Sequence, residues 1–265
     1  MIHPTTSNPT HTHNWNGMGK PLVSVVMPIY HTEEYLHEAV SSILNQTHQN
    51  LELLAICDSS QNEVIGILKS FHDPRLHICA LLENTNVPVA MNYARNLIHG
   101  EYVARMDSDD ISMPDRFERQ IAFLESHPSV GVVGGQIEYI FSHGQHLKWM
   151  NFPTSYVGIL WALPKYNPIA NPTVMMRADL YKRAVWDTLL VSGIEDYDYW
   201  VRLADQTKIC NLPDDVLKYR LKDISTLSAL SFYNRNDQRK ADEAKIQKKA
   251  KGIFWRNWKR VLGVS

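Results

Sequence analysis

Acidic side chains form an unusually dense group directly after one hydrophobic segment of the chain. Asp107, Asp109 and Asp110 occupy three of the four positions that follow residues 102–106. Like charges at this spacing repel and raise one another's pKa, so the group is costly without a counter-charge. A divalent cation removes that cost, and ligands that are all oxygen favour Mg²⁺ or Mn²⁺. The simpler alternative is that Asp109 or Asp110 caps a helix beginning near Pro114 while the other carboxylates are solvated.

A fourth carboxylate, Asp58, ends a different hydrophobic segment, residues 51–57. Ligands of open α/β sheets bind beyond the carboxyl ends of parallel strands, which meet at one edge of the sheet. If residues 51–57 and 102–106 are parallel strands, Asp58 lies at the same edge as the acidic group. This convergence favours a metal site over simple helix capping.

The acidic residues lie within an alternation of predicted strands and helices. Continuous apolar runs predict buried parallel strands, and apolar residues at a period of 3.6 predict helices. Thr32 is placed as the N-cap of the first predicted helix. The predicted strands cover residues 23–29, 51–57, 76–82, 102–106 and 130–140, the last bent at Gly134 and Gly135. The predicted helices cover residues 33–46, 63–71, 88–98, 114–126, 178–186 and 195–205. This order predicts a doubly wound, mostly parallel α/β sheet with helices on both faces.

Composition excludes several classes of protein. The 265 residues include 27 Lys+Arg and 28 Asp+Glu, a net charge of −1 that gives no signal for nucleic-acid binding. Cys57, Cys79 and Cys210 are far apart and lack metal-ligand spacing, which is typical of reduced thiols in the cytoplasm. The N-terminus has no signal-peptide pattern, and apolar runs such as residues 22–30 are shorter than the ~18 residues of a membrane span. A cytoplasmic protein is expected.

The two ends of the chain differ from the rest. Residues 1–20 are polar and predict a disordered tail. Residues 237–262 predict a basic amphipathic helix within a C-terminal extension, residues 231–265. Such a helix suits peripheral contact with an anionic membrane surface, and the alternative is a helix packed on the catalytic domain with a solvated charged face. Its predicted apolar face consists of Ile246, Ala250, Ile253, Phe254, Trp258, Val261 and Leu262.

Ordered motifs between residues 22 and 221 resemble one known family, the inverting family-2 glycosyltransferases of the GT-A fold, of the bacterial polysaccharide or lipooligosaccharide type. Each motif is weak alone, but their order is highly specific. They are VSVVMPIY at 23–30, SILNQT at 42–47, DSS at 58–60, GEYVARMDSDD at 100–110, PDR at 114–116 and EDYDYW at 195–200.

The resemblance implies a function and a set of site residues. A GT-A domain would cover residues 21–230, with a nucleotide half (21–140) and an acceptor half (141–230). It would move a sugar from a nucleotide-diphosphate donor, a UDP-sugar above all, to a saccharide or lipid-linked hydroxyl, with Mn²⁺ or Mg²⁺ as cofactor. Pro28, Tyr30 and Glu33 would line the nucleoside pocket, and Asp58 would bind the base. Asp107 and Asp109 would form the DXD motif. Asp109 would bind the metal, and Asp107 would bind the ribose or a water on the metal.

The same resemblance makes Asp196 the general base. A hydroxyl acceptor is a poor nucleophile and needs a carboxylate to remove its proton, and a single base implies inversion at the anomeric carbon. Because Asp196 begins a predicted helix, the helix dipole is expected to keep it ionised. The alternative is an ordinary acidic residue at a helix N-terminus.

Three positions depart from the family pattern. Ser59 stands where the family has a glycine in the loop after the second predicted strand. Asn171 and Lys222 stand where relatives often carry histidine. Lys222 cannot bind a metal while protonated, although it can neutralise diphosphate. These changes leave open a catalytically impaired, nucleotide-sugar-binding or scaffold protein of the same fold. A nucleotidyltransferase is less favoured, because no Gly-rich, basic triphosphate loop follows the first strand.

Overall fold

A computed structural model of the protein describes residues 19–30, 32–58, 62–81, 86–190, 193–221 and 237–262. Nine strands in this part of the chain form one sheet, in the spatial order β3-β2-β1-β4-β8-β6-β9-β5, with β7 paired to β6. The strands are β1 (Val23–Pro28), β2 (Leu51–Asp58), β3 (Leu76–Leu81), β4 (Tyr102–Arg105), β5 (Ile111–Ser112), β6 (Val130–Phe141), β7 (His146–Met150), β8 (Met175–Arg177) and β9 (Lys208–Leu221).

The first four strands make the parallel half of the sheet. β1 pairs in parallel with β2 and with β4, and β2 pairs in parallel with β3. The carboxyl ends of β1, β2 and β4 therefore share one edge, and the acidic residues 107–110 follow β4 directly at that edge. This arrangement of the strand ends agrees with the sequence-based prediction.

The second half of the sheet is mixed. β8 is antiparallel to both β4 and β6, β9 runs parallel to β6, and the short β5 is antiparallel to β9. Strands β5, β7, β8 and β9 were absent from the prediction, because their short or polar sequences do not resemble continuous buried strands. The predicted bend in β6 appears as a register shift between Gly134 and Gln136 against β9. A Cβ atom at Gly135 would lie 2.5 Å from a methyl of Val216 on β9, so this close approach requires glycine.

Helices cover both faces of the sheet, as predicted. One hydrophobic cluster contains buried residues of α1, α2 and α4, and a second contains those of α3, α5, α6, α7 and α8. Burying apolar surface on each face is what holds the layers together, at roughly 25 cal/mol per Å². The helices are α1 (Glu33–Leu44), α2 (Asn62–Ser70), α3 (Val87–Ala94), α4 (Arg116–Ser126), α5 (Tyr156–Ala162), α6 (Ala178–Arg183), α7 (Glu195–Leu203) and α8 (Asp237–Leu262).

The predicted C-terminal helix exists as α8, and it packs on the rest of the domain. Ile246, Ala250 and Ile253 are buried in the second cluster, which agrees with the packed-helix alternative for this part of the predicted apolar face. No helix among the described residues combines the length and hydrophobicity that a bilayer span requires. Residues 1–18 and Lys222 lie outside the described residues, so the disordered tail and the role of Lys222 stay predictions.

Candidate active site

The four acidic-loop residues after β4 alternate between the rim and the interior. Asp107 and Asp109 are partly exposed, whereas Ser108 and Asp110 are buried. The buried Asp110 caps no helix: its Oδ1 accepts a hydrogen bond from the backbone N–H of Arg220 at 2.9 Å. Burial, together with the negative charges of Asp107 and Asp109, raises the pKa of Asp110 well above its usual range. Asp110 therefore fixes the loop to β9, and Asp107 and Asp109 are presented at the edge of the sheet.

Arg105, the last residue of β4, holds the first of these rim carboxylates. Its Nη1 donates to Oδ1 of Asp107 at 2.6 Å, and only 5% of its surface is exposed. Burial disfavours the charged guanidinium, but the negative charges of Asp107, Asp196 and Asp110 more than offset that effect and raise the pKa of Arg105. A buried cation is thus placed among three carboxylates that come from two separate segments of the chain.

Arg220 on β9 holds the same loop from the opposite side. Its Nε donates to the backbone oxygen of Asp109 at 2.9 Å, and its Nη2 donates to Oε2 of Glu38 on α1 at 2.5 Å. The guanidinium also lies 4.5 Å from the ring centre of Tyr35, within cation–π range. One buried side chain therefore ties the acidic loop to α1 and β9.

Two of the sequence motifs supply buried side chains that donate hydrogen bonds to the backbone on either side of the acidic loop. In PDR, Arg116 is fully buried and its Nη2 donates to the backbone oxygen of Arg105 at 2.8 Å, and burial lowers the pKa of Arg116 to about 9. In SILNQT, Gln46 is also fully buried, and its Nε2 donates to the backbone oxygen of Met113 at 2.7 Å. Buried polar groups are retained when they are hydrogen-bonded, and these two fix the entry and exit of the acidic loop.

Asp196 is the second residue of α7 and interacts electrostatically with Asp107 of the acidic loop. Its Oδ2 accepts a hydrogen bond from Nδ2 of Asn167 at 3.0 Å, and its Oδ1 accepts one from the N–H of Tyr197 at 2.7 Å. The charges of Arg105 and Asp107 both act on its carboxyl group. The structure thus brings the predicted base and the first DXD carboxylate together around Arg105.

The expectation that the helix dipole keeps Asp196 ionised is wrong in direction. The pKa of Asp196 is raised to about 7, first by burial and second by the charge of Glu195 beside it. The Tyr197 N–H and Arg105 act in the opposite direction but are weaker. The helix-dipole expectation took no account of this burial, which disfavours the charged form of the carboxyl group, or of the like charge of Glu195. A carboxylate with a pKa near neutrality is suited to accept and release a proton.

The predicted nucleoside-binding residues lie at the ends of β1 and β2. Pro28 is partly buried at the end of β1, Tyr30 just beyond it is 53% exposed, and Glu33 is partly buried at the start of α1. The backbone of Asp58 ends β2, while its side chain lies outside the described part of the structure.

Thr32, the residue that precedes α1, connects this region to the acidic loop. Its hydroxyl makes no cap with the helix and lies 2.7 Å from Oγ of Ser108, so the N-cap hydrogen bond expected from the sequence is replaced by a link between two loops. The loop after β1 and the acidic loop are therefore neighbours.

The donor set suits a hard divalent cation. No group of three His, Cys, Asp or Glu side chains in the described residues forms a complete cation cage. Mg²⁺ commonly binds through one or two carboxylates and takes its other ligands from substrate phosphates and water. The partly exposed carboxylates of Asp107 and Asp109 supply that oxygen chemistry, so the residues present fit the implied cofactor.

Arg105 lies within the motif at 100–110, whereas Asn167 and Arg220 lie outside the six motifs, and none of the three was predicted to have a role. Arg105 precedes Asp107 by two positions at a strand end, where alternate residues share a face, and this spacing was the available signal. Asn167 and Arg220 are separated from their partners by 29 and 111 residues. Only the tertiary structure reveals those two contacts.

Comparison with known proteins gives one consistent family. A family model described as Glycosyl transferase family 2 matches residues 24–183, more than half of the chain. The chain is 33% identical over 221 residues to the O-antigen biosynthesis glycosyltransferase WbnJ of Escherichia coli, covering 80% of this chain and 85% of that relative.

Solved structures share the fold. TarS of S. aureus, in a complex with UDP-GlcNAc, superposes with a TM-score of 0.63 at 21% identity over 78% of this chain, which spans 60% of the TarS chain. The mannosyltransferase PcManGT of Pyrobaculum calidifontis, in a complex with GDP-Man and Mn²⁺, gives a TM-score of 0.61 at 15% identity, covering 88% of this chain and 74% of that one. The predicted fold class is confirmed, with a mixed rather than largely parallel second half of the sheet.

Proposed function

Because the chain belongs to glycosyl transferase family 2, we propose that it moves a sugar from a nucleotide-diphosphate donor to a hydroxyl acceptor with inversion. The donor is a UDP-sugar, with a hexosyl or N-acetylhexosaminyl group transferred. The observation that carries this proposal is the pairing of Asp107 with Arg105 beside Asp196, whose carboxyl has a pKa of about 7. A base and a donor-binding carboxylate then lie on one rim.

Asp196 acts as the general base. At neutral pH a large fraction of its carboxyl groups is ionised, and Asn167 keeps Oδ2 oriented through its amide. The acceptor hydroxyl loses its proton to this carboxylate as its oxygen attacks the anomeric carbon. Attack from the side opposite the leaving diphosphate inverts that carbon, and no covalent enzyme intermediate is required.

The donor is held along the ends of β1, β2 and β4. Tyr30 offers an exposed ring for stacking on the base, with Pro28 and Glu33 beside it, and Asp58 accepts a hydrogen bond from the base. Asp109 would hold the divalent cation, and Asp107 the ribose or a water on that ion. When bound, Mn²⁺ or Mg²⁺ neutralises the charge of the departing nucleoside diphosphate.

The acceptor is a saccharide or lipid-linked saccharide at the cytoplasmic face of a membrane, in the synthesis of a surface polysaccharide or lipopolysaccharide. Two features support this class. WbnJ, to which the chain is similar along most of its length, is named for O-antigen biosynthesis. The C-terminal helix α8 carries many basic residues, as a protein working near anionic lipid would require.

The test is release of nucleoside diphosphate from UDP-, GDP- and dTDP-sugars with Mn²⁺ or Mg²⁺, in the presence of lipid-linked or saccharide acceptors. We expect metal-stimulated release with one donor class, and an anomeric NMR signal of the product that is opposite to that of the donor. Asp109→Ala and Asp196→Asn are each expected to lower the rate by ~10²–10⁴-fold.

Asp179→Asn is the matched control, because Asp179 is 64% exposed and its partner is Arg183 on the same helix. Its rate should stay within about twofold of the wild type, as expected for an exposed ion pair. Release that survives both Asp109→Ala and Asp196→Asn would contradict the assigned roles. Donor binding without turnover with any acceptor would favour the impaired, sugar-nucleotide-binding alternative.

A further inference from the structure

Helix α8 carries exposed aromatic side chains beside the face that packs on the domain. Ile246, Ala250 and Ile253 point into the core, yet Trp255, two residues beyond Ile253, is 62% exposed. Trp258 and Phe254 are partly exposed beside it. A helix that needed only to pack on its domain would place polar residues at these positions.

Helix α5 contributes to the same surface. The ring of Trp161, itself 52% exposed, lies 5.4 Å from Phe254 and 6.2 Å from Trp258 between ring centres, in edge-to-face geometry. Gln247 donates to the backbone oxygen of Lys165 at 3.1 Å, which ties α8 to the segment that follows α5. We call Trp161, Phe254, Trp255 and Trp258 the aromatic patch.

Unpaired basic side chains border the aromatic patch. Within the described residues Lys249 and Arg256 are neutralised by Asp198 and Asp205, but Lys251 and Lys259 are exposed and make no ion pair there. On a helical surface, residues 251, 255, 258 and 259 lie on one side, so the lysines flank the tryptophans. Exposed tryptophan beside free lysine is the composition of helices that lie in the interface of a bilayer.

A cavity of about 350 Å³ opens next to the last turns of α8. Lys208 and Arg260 line it, together with Asn257 and Thr207, so cationic and hydrogen-bonding groups face one space. Asp205 also lines it, but its carboxylate is bound to Arg256 at 2.9 Å. The cavity therefore offers positive charge and hydrogen-bond donors to an anion.

We propose that the aromatic patch and its flanking lysines dock the protein on a membrane surface that contains anionic phospholipid. The tryptophan rings enter the boundary between headgroups and acyl chains, while Lys251 and Lys259 contact lipid phosphates. This surface shares Phe254 and Trp258 with the apolar face expected from the sequence. The remaining patch residues, Trp161 and Trp255, were not part of that expectation, and Ile246, Ala250 and Ile253 of the expected face are buried against the domain. The docking does not depend on the identity of the donor or on turnover.

The test is co-sedimentation of the full chain with vesicles of phosphatidylcholine alone and of phosphatidylcholine mixed with phosphatidylglycerol. We expect binding to the mixed vesicles only, weakened at high salt. The double variant Trp161→Ser/Trp255→Ser and the double variant Lys251→Glu/Lys259→Glu should each lower the partition coefficient at least about tenfold. The second pair lies on the exposed side of α8, so its effect does not involve the packing of the helix.

Matched controls are Trp149→Ser, an equally exposed tryptophan on β7, and Lys69→Glu on α2, each expected to bind like the wild type. No binding to mixed vesicles, or unchanged binding by both double variants, would overturn the proposal. The proposal would also fail if sedimentation velocity showed that the wild type is a dimer and the Trp161→Ser/Trp255→Ser variant a monomer, while neither protein bound vesicles. Nucleoside diphosphate release from soluble donor, measured without vesicles, reports on the proposed function separately.

Discussion

Arg105 Nη1 lies 2.6 Å from Oδ1 of Asp107, and the same buried guanidinium acts electrostatically on Asp196 from a different segment of the chain. A rim of carboxylates that must receive a diphosphate would otherwise repel it and one another. The cation of Arg105 offsets part of that charge from inside the protein. Its position links Asp107, which we propose orients the donor, to Asp196, the proposed general base.

Replacement of Arg105 should change the pH dependence of turnover. Arg105 lowers the pKa of Asp196, so Arg105→Met should raise that pKa and move the acidic limb of kcat/KM to higher pH. A shift of one unit corresponds to about tenfold lower activity on the acidic side. Arg105→Lys retains the charge and should shift the limb much less. The pH profiles of the two variants check this, and identical limbs in both would contradict a charge effect.

Glu195 should have the opposite influence. Its charge is the second cause, after burial, of the raised pKa of Asp196, so Glu195→Gln should lower that pKa. We expect the acidic limb to move to lower pH and kcat/KM at about pH 6 to rise roughly threefold, equivalent to about half a pKa unit. The plateau rate above the limb should change little. A limb that moves to higher pH would show that the charge of Glu195 does not raise the pKa of Asp196.

Sequence patterns predicted the parallel half of the fold better than the rest. β1, β2 and β4 are continuous apolar runs, and their order along the chain implies a shared edge at which Asp107 and Asp109 must lie. β9 was not foreseen, because residues 208–221 show neither a continuous apolar run nor regular alternation, and Pro213 is followed by two aspartates in the middle of the segment. Its partner β5 has only two residues, too few to show any period.

The site was predictable as a set of residue types but not as an electrostatic arrangement. Motif order pointed to Asp196, yet the direction of its pKa shift depends on burial and on Glu195, which a helix-dipole argument from the sequence ignores. Likewise, the apolar residues of α8 were visible in the sequence. Which of them the domain covers depends on α5 and α7, which are remote along the chain.

Asp196→Asn should lower the activity and raise the free energy of unfolding at high pH. A carboxyl whose pKa is higher in the folded than in the unfolded state binds its proton more tightly when folded. Its contribution is therefore favourable at low pH and lost as the pH rises from about 4 through about 7. Asparagine carries no charge to desolvate and can still accept from Asn167, so the variant should be more stable at about pH 8 by ~1–2 kcal/mol.

Urea unfolding at several pH values measures this difference. The free energies of unfolding of wild type and Asp196→Asn should converge below about pH 4, where the Asp196 carboxyl is protonated in both the folded and the unfolded state. A variant that is less stable than the wild type at high pH would show that the ionised carboxylate is stabilised by the fold and not strained by it.

Arg220 should matter for stability more than any surface arginine. Its guanidinium bonds to Glu38 and to the backbone of Asp109, and the backbone of Arg220 holds the buried Asp110. Arg220→Met keeps the backbone bond to Asp110 but removes the donor to Glu38 and to the backbone oxygen of Asp109, and it should lower the free energy of unfolding by ~2–4 kcal/mol. Arg183→Met, at a 66% exposed position paired with Asp179, should cost less than about 1 kcal/mol.

Because Arg220 also orders the loop that carries Asp109, its loss should weaken Mn²⁺ stimulation of nucleoside diphosphate release, whereas the Arg183 variant should keep the wild-type metal response. Equal destabilisation of the two variants would mean that the acidic loop keeps its shape without this clamp.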